Sequence, residues 1–176
     1  AFAGVLTLAR FSEAFLVLRA QDQGLADRYV PVVLIAMNVA YAASAYPLGV
    51  LSDRVGRRRV VAAGIALLVV ADVILAVAGG AGGVALVLAG AAVWGVHMGA
   101  TQGAFSALVA DRAPGALRGT AFGMLNLVMG ASLLAASILA GALWAWAGPA
   151  WTFTAGAGVA AVALAMVTAP RVLRAG

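Results

Sequence analysis

Four ionisable side chains, Arg10, Glu13, Asp72 and His97, stand inside runs of sequence that are otherwise almost wholly apolar. Groups of this kind are costly away from water and mark either a functional site or a buried pairing. The chemistry open to them is charge pairing, proton carriage and recognition of a polar solute. Arg10 and Glu13 are spaced i,i+3, which puts them on one face of a helix. That spacing serves a structural salt bridge as well as it serves a substrate or proton site. Asn38, Tyr41 and Thr101 add hydrogen-bonding groups. Covalent and metal chemistry have nothing to stand on: the chain has no Cys, one His and no His-Glu-x-x-His pattern, so no metal, cofactor or enzymatic activity is expected.

The elements that must position these residues follow from composition. The chain of 176 residues is 65% hydrophobic and 10% charged. Soluble domains are about 45–50% apolar and about 25% charged, and a soluble helical bundle of this length has nowhere to hide the excess. A bilayer resolves the difficulty. A membrane-spanning helix needs about 20 mostly apolar residues, and six runs qualify: 2–20, 29–52, 60–78, 84–110, 118–146 and 151–169. Pro31 sits where a first helical turn tolerates it. The five residues from Gly79 to Gly83 read as a tight uncharged turn, and Gly148-Pro149 as another. The runs do not alternate as barrel strands would. The expected fold is therefore all-α: a polytopic membrane bundle of six helices forming one domain over residues 1–176. No secretory signal pattern precedes the first span, and the chain opens at Ala1 rather than Met, which reads as a piece of a longer chain.

Charge placement orients the bundle. All eleven basic residues are Arg. Arg54, Arg57, Arg58 and Arg59 follow the second span, Arg112 and Arg118 lie between the fourth and fifth, and Arg171 and Arg174 follow the sixth. The other side holds Arg19 and Arg28, balanced by Asp22 and Asp27. The positive-inside rule puts both termini and the Arg-rich loops in the cytoplasm. The net charge of +5 thus finds its partner in lipid headgroups rather than nucleic acid. Trp144, Trp146 and Trp151 gather at the opposite interface, as an aromatic belt would. Counted from the cytoplasmic helix ends at 1.5 Å per residue, Arg10 lies about 14 Å deep and Glu13, Asp72 and His97 about 18–20 Å deep. Asn38, Tyr41 and Thr101 fall at similar depths, so the polar groups form one layer near the middle of a roughly 30 Å core. On the fourth helix, Gly95, Gly99 and Gly103 form a stripe suited to close helix packing, and His97 and Thr101 project away from it, toward either a cavity or a neighbour in the core. Gln102 lies nearer the stripe and bridges helices; Asn126, Gly119 and Gly123 read as packing positions.

Between the second and third spans stands Gly49-Val50-Leu51-Ser52-Asp53-Arg54-Val55-Gly56-Arg57-Arg58-Arg59. Gly56 suits a turn at positive φ, and Asp53 can accept from backbone N–H groups or from Arg54. This segment resembles the signature loop of the Major Facilitator Superfamily, Gly-x-Leu-Ala/Ser-Asp-Arg-x-Gly-Arg-Arg, at Gly49, Asp53, Arg54, Gly56, Arg57 and Arg58 and in its place after a second helix. The resemblance covers the whole chain. It implies one six-helix half, a 3+3 inverted repeat, of a secondary transporter that moves a small solute by alternating access; the use of Arg and never Lys, as GC-rich coding would give, points to a bacterial inner membrane. The resemblance also implies that the loop docks on the other half and steadies one state of the cycle. The first half of such proteins usually carries an Arg in its fourth helix, and an antiporter subset adds a Gly-Pro-rich fifth helix; this chain has neither and looks like the second half. The first and fourth helices of each half line the central cavity, which makes Arg10, Glu13, His97 and Thr101 its candidate lining with Asn38 and Tyr41 at similar depth. Asp72 falls on a peripheral helix, where a carboxyl bonded to the first or second helix is the plainer reading. The partner half belongs to the same longer chain or to a second copy; a non-transporting fragment is the competing reading.

Overall fold

The computed structural model describes residues 9–112, 114 and 117–169, with residues 104–112 described by their backbone alone. Among these residues every regular element is helical. They are α1 Ala14–Asp22, α2 Val30–Val55, α3 Arg57–Val77, α4 Gly83–Arg112, α5 Arg118–Ala147 and α6 Pro149–Thr168, with short 3-10 turns at Asp27–Tyr29 and Gly80–Gly82. Five stretches are long and apolar enough to cross a bilayer: Asp27–Val55, Arg57–Val77, Gly80–Gly103, Arg118–Ala147 and Pro149–Thr168. They correspond to the last five of the six expected spans, with helix ends within three residues of those expected.

The first span differs. Residues 2–8 lie outside the described residues, and the rest of the run is broken: residues 10–12 are not helical, and α1 begins at Ala14 and runs nine residues. At 1.5 Å per residue that is about 13 Å, too short to cross alone. The cause is Ser12. Its amide donates to Ser137 Oγ of α5 at 3.1 Å, and its own hydroxyl accepts from the Ala14 amide at 3.3 Å. A serine that offers the backbone these alternatives competes with the helical ladder. Arg10 and Glu13 therefore do not share the face of a continuous helix, contrary to the expectation from their spacing.

The turn after α2 is also tighter than a loop over residues 53–59. Gly56 alone separates two helices, at φ +96°; Asp53 and Arg54 close α2, and Arg57, Arg58 and Arg59 open α3. Three cations in a first turn oppose the helix dipole. Arg58 relieves the conflict by reaching the end of α6, donating from Nε to the Val167 carbonyl at 2.7 Å and from Nη2 to that of Ala169 at 3.1 Å. On the other side of the bundle, Arg19 does the same for α3. It donates to the carbonyls of Leu75 at 3.0 Å, Ala76 at 3.3 Å and Ala78, and pairs with Asp22 at 2.6 Å. Each guanidinium satisfies the carbonyls that a helix end leaves without intrahelical partners.

Packing runs in a chain: α2 against α4, α4 against α3, and α3 against α6. Small residues permit it. A Cβ on Gly95 would collide with the Met37 carbonyl oxygen, one on Gly99 with Ser44 Oγ, and one on Gly64 would lie 2.7 Å from the Ala100 methyl. Gly103 meets nothing within 4 Å, so the expected stripe is used at two of its three positions. Phe11, Phe15, Trp94, Trp144 and Phe153 form an aromatic cluster with ring centroids 5.1–6.2 Å apart. Trp144 therefore packs inward; Trp146 and Trp151 remain exposed on the bundle's surface. Only 11% of the apolar window of α2 and of α5 is buried, against 39–44% for α3, α4 and α6. The uncovered faces of α2 and α5 are thus the ones left for lipid or for another helical unit.

Candidate functional site

The break before α1 opens a groove of about 540 Å³ lined by Arg10, Phe11, Ser12, Glu13, Ala14, Val17, Val30, Leu34 and Leu133. Three elements build it. The non-helical segment supplies both charged walls, α2 supplies Val30 and Leu34, and α5 supplies Leu133 as well as the Ser137 hydroxyl that pins the segment open. Arg10 and Glu13 are both partly buried. The Glu13 carboxylate and the Tyr41 hydroxyl lie close enough to act electrostatically on the Arg10 guanidinium. Neither Arg10 nor Glu13 forms an ion pair or side-chain hydrogen bond among the described residues. The structure thus brings two opposite charges to one apolar groove, neither of them paired among the described residues.

The remaining candidates are not among the residues that line that groove, although the Arg10 guanidinium lies close enough to act electrostatically on His97 as well as on Tyr41. His97 is fully buried and donates from Nδ1 to the Gly64 carbonyl of α3 at 2.8 Å. Thr101 is 1% exposed and turns its hydroxyl back to the His97 carbonyl at 2.9 Å. Both do project away from the Gly95/Gly99 stripe, but what they meet is α3, because Gly64 lets α4 approach on that side as well. Asn38 is exposed and bonds to the Leu34 carbonyl of its own helix at 2.8 Å. Tyr41 lines a second, smaller cavity of about 250 Å³ in the α2/α4 crevice, which continues to Gly49, Ser52, Asp53 and Arg57. Asp53, Arg54, Gly56 and Arg57 are exposed, and Arg58 is the partly buried member of the motif.

Asp72 is fully buried, as expected of a buried acid on the third span, and its carboxyl has no hydrogen-bond partner among the described residues; residues 2–8 of the expected first span lie outside them. It sits where α6 comes close: a Cβ on Gly156 would lie 2.8 Å from Asp72 Oδ2 and 2.8 Å from Phe11. Trp94 Nε1 and His97 Nε2 are likewise buried without partners among the described residues. Reading the sequence missed Ser12, Ser137 and Phe11. The signal for Ser12 was available, since a serine just before an acidic residue and an apolar run is a helix-start pattern. Nothing local to Ser137 announces a contact 125 residues away.

Compared with known proteins, the chain matches the family model described as Major Facilitator Superfamily over residues 2–174. No curated protein matches it.

Proposed function

The chain belongs to the Major Facilitator Superfamily, and on that premise we propose that it is one six-helix half, the second, of a secondary active permease that moves a small solute by alternating access. The observation that carries this reading is the α1 groove: a cavity walled by the non-helical stretch before α1 and holding two charges that are unpaired among the described residues. Transporters of this kind bind substrate where a spanning helix is discontinuous. The uncovered faces of α2 and α5 are where the partner half packs, whether that half lies in the same longer chain or in a second copy. Solute and lipid bilayer are the other partners. In this reading both termini face the cytoplasm of a bacterial inner membrane, an orientation that the arginine distribution supports. Where a proton gradient drives transport, Glu13 carries the proton, because it lines the groove while His97 is bonded into the α3/α4 contact.

The absence of Cys allows a direct test. Leu34→Cys introduces a single thiol in the groove wall of the membrane-embedded protein. Alternating access predicts alkylation by a membrane-impermeant maleimide added from either side. Reaction from one side only, or from neither, supports a fragment without transport activity and rejects the proposal.

A further inference from the structure

We infer that the α1 groove is built for a small zwitterion bearing a carboxylate, an ammonium and an apolar substituent. The inference rests on the transport reading of the same groove and adds the substrate's chemical class. Arg10 and Glu13 line one cavity of about 540 Å³, within the size range of small-molecule sites. They feel each other's charge but do not close into an ion pair. In a membrane interior an unpaired charge is costly, so two opposite charges in one groove would be expected to pair unless something holds them apart. The broken backbone does so. Ser12, between them, is tied to Ser137 of α5, and Glu13 stands at the first turn of α1 while Arg10 lies in the non-helical stretch.

A solute with one charge would satisfy one wall and leave the other unpaired and further dehydrated, which is the expensive arrangement. A zwitterion answers both at once, its carboxylate taken by the planar guanidinium fork and its ammonium by the carboxylate of Glu13. It also adds no net charge to a low-dielectric site. Of the remaining walls, Phe11, Val17, Leu34 and Leu133 offer an aliphatic or aromatic substituent a surface, and the Ser12 hydroxyl is already engaged by the Ala14 amide. An α-amino acid with an apolar side chain has this combination.

The test uses protection of Leu34→Cys in the membrane-embedded protein. The probes are leucine, 4-methylpentanoate, which keeps the skeleton and carboxylate, and 3-methylbutylamine, which keeps the skeleton and ammonium. At a leucine concentration ten times its dissociation constant, competitive protection slows alkylation about tenfold. Each one-charge analogue at the same concentration leaves the rate within about twofold of the unprotected value, as expected for a ligand below its own dissociation constant. Glu13→Gln abolishes the preference for leucine over 4-methylpentanoate, because the carboxylate's partner, Arg10, remains. Equal protection by either one-charge analogue and leucine overturns the inference. So does alkylation from both sides with no protection by any probe, an outcome that leaves the transport reading standing. Alkylation from one side only, or from neither, overturns the transport reading and this inference with it. The wild-type background decides without Glu13→Gln should that variant fail to fold.

Discussion

Replacing Gly95 with Ala tests the contact that holds α2 against α4. The added methyl would collide with the Met37 carbonyl oxygen and lie 3.0 Å from both the Met37 carbonyl carbon and the Tyr41 amide nitrogen. All three atoms are backbone, so no rotamer change relieves the clash and α2 must shift as a body. Overpacking of this kind costs about 1–3 kcal/mol, or roughly a 5- to 150-fold change in the folding equilibrium. The control is Gly103→Ala, two turns further along the same helix, where a Cβ meets nothing within 4 Å. There the intrinsic helix preference of Ala over Gly, at most about 1 kcal/mol, predicts neutrality or slight stabilisation. Equilibrium unfolding in mixed micelles, followed by the fluorescence of the four Trp residues, measures both. Because α2 also carries Val30 and Leu34 of the groove wall, Gly95→Ala should change the alkylation rate of Leu34→Cys as well. Wild-type stability of Gly95→Ala, or an equal loss from Gly103→Ala, would refute the packing argument.

Thiols introduced singly at Arg57 and at Gly82 should react with impermeant reagents from opposite sides, Arg57→Cys from the cytoplasm; labelling of both from the same side contradicts the orientation. Glu13→Gln should abolish proton-driven accumulation yet spare exchange down a gradient, whereas full transport by Arg10→Leu/Glu13→Leu would reduce the pair to a structural role. Arg58→Ala removes two charge-assisted hydrogen bonds to the α6 terminus and should cost about 1–3 kcal/mol in the same unfolding assay, with Arg59→Ala as the near-neutral comparison. Asp53→Asn in the full-length protein should cut transport while leaving membrane insertion intact, and unchanged transport argues against a docking role for that carboxylate.

The parts of the fold legible in the sequence are those set by local chemistry. Apolar run length marks five of the spans to within a turn, and the spacing Asp53-Arg54-Val55-Gly56 placed a positive-φ glycine where one stands. Helical arithmetic gave the direction of His97 relative to Gly95 and Gly99 correctly. It could not say what lies in that direction, because the approach of α3 depends on Gly64, more than thirty residues earlier. The same holds at Arg10 and Glu13, where i,i+3 spacing presupposes a helix that Ser12 and Ser137 interrupt. The environment of Asp72 is fixed by Gly156, on a helix that no spacing rule connects to it.

The arginines after α2 show how one sequence feature can answer to two physical demands. Counted as charges, Arg54, Arg57, Arg58 and Arg59 are interchangeable in the proposed topology, where the positive-inside rule uses them to orient the chain. The structure makes them unequal. Arg58 leaves the surface to satisfy the terminal carbonyls of α6, which helps to hold the close α3/α6 contact, and that contact includes Gly156 beside Asp72. Arg57 lines the α2/α4 crevice with Asp53 and is exposed, as are Arg54 and Arg59. A lysine at the Arg58 position would preserve the charge and the orientation but not the fork that reaches two carbonyls at once. If topology were the motif's only work, Arg58→Lys would match wild type in both orientation and stability; the two hydrogen bonds to α6 require that it match in orientation alone.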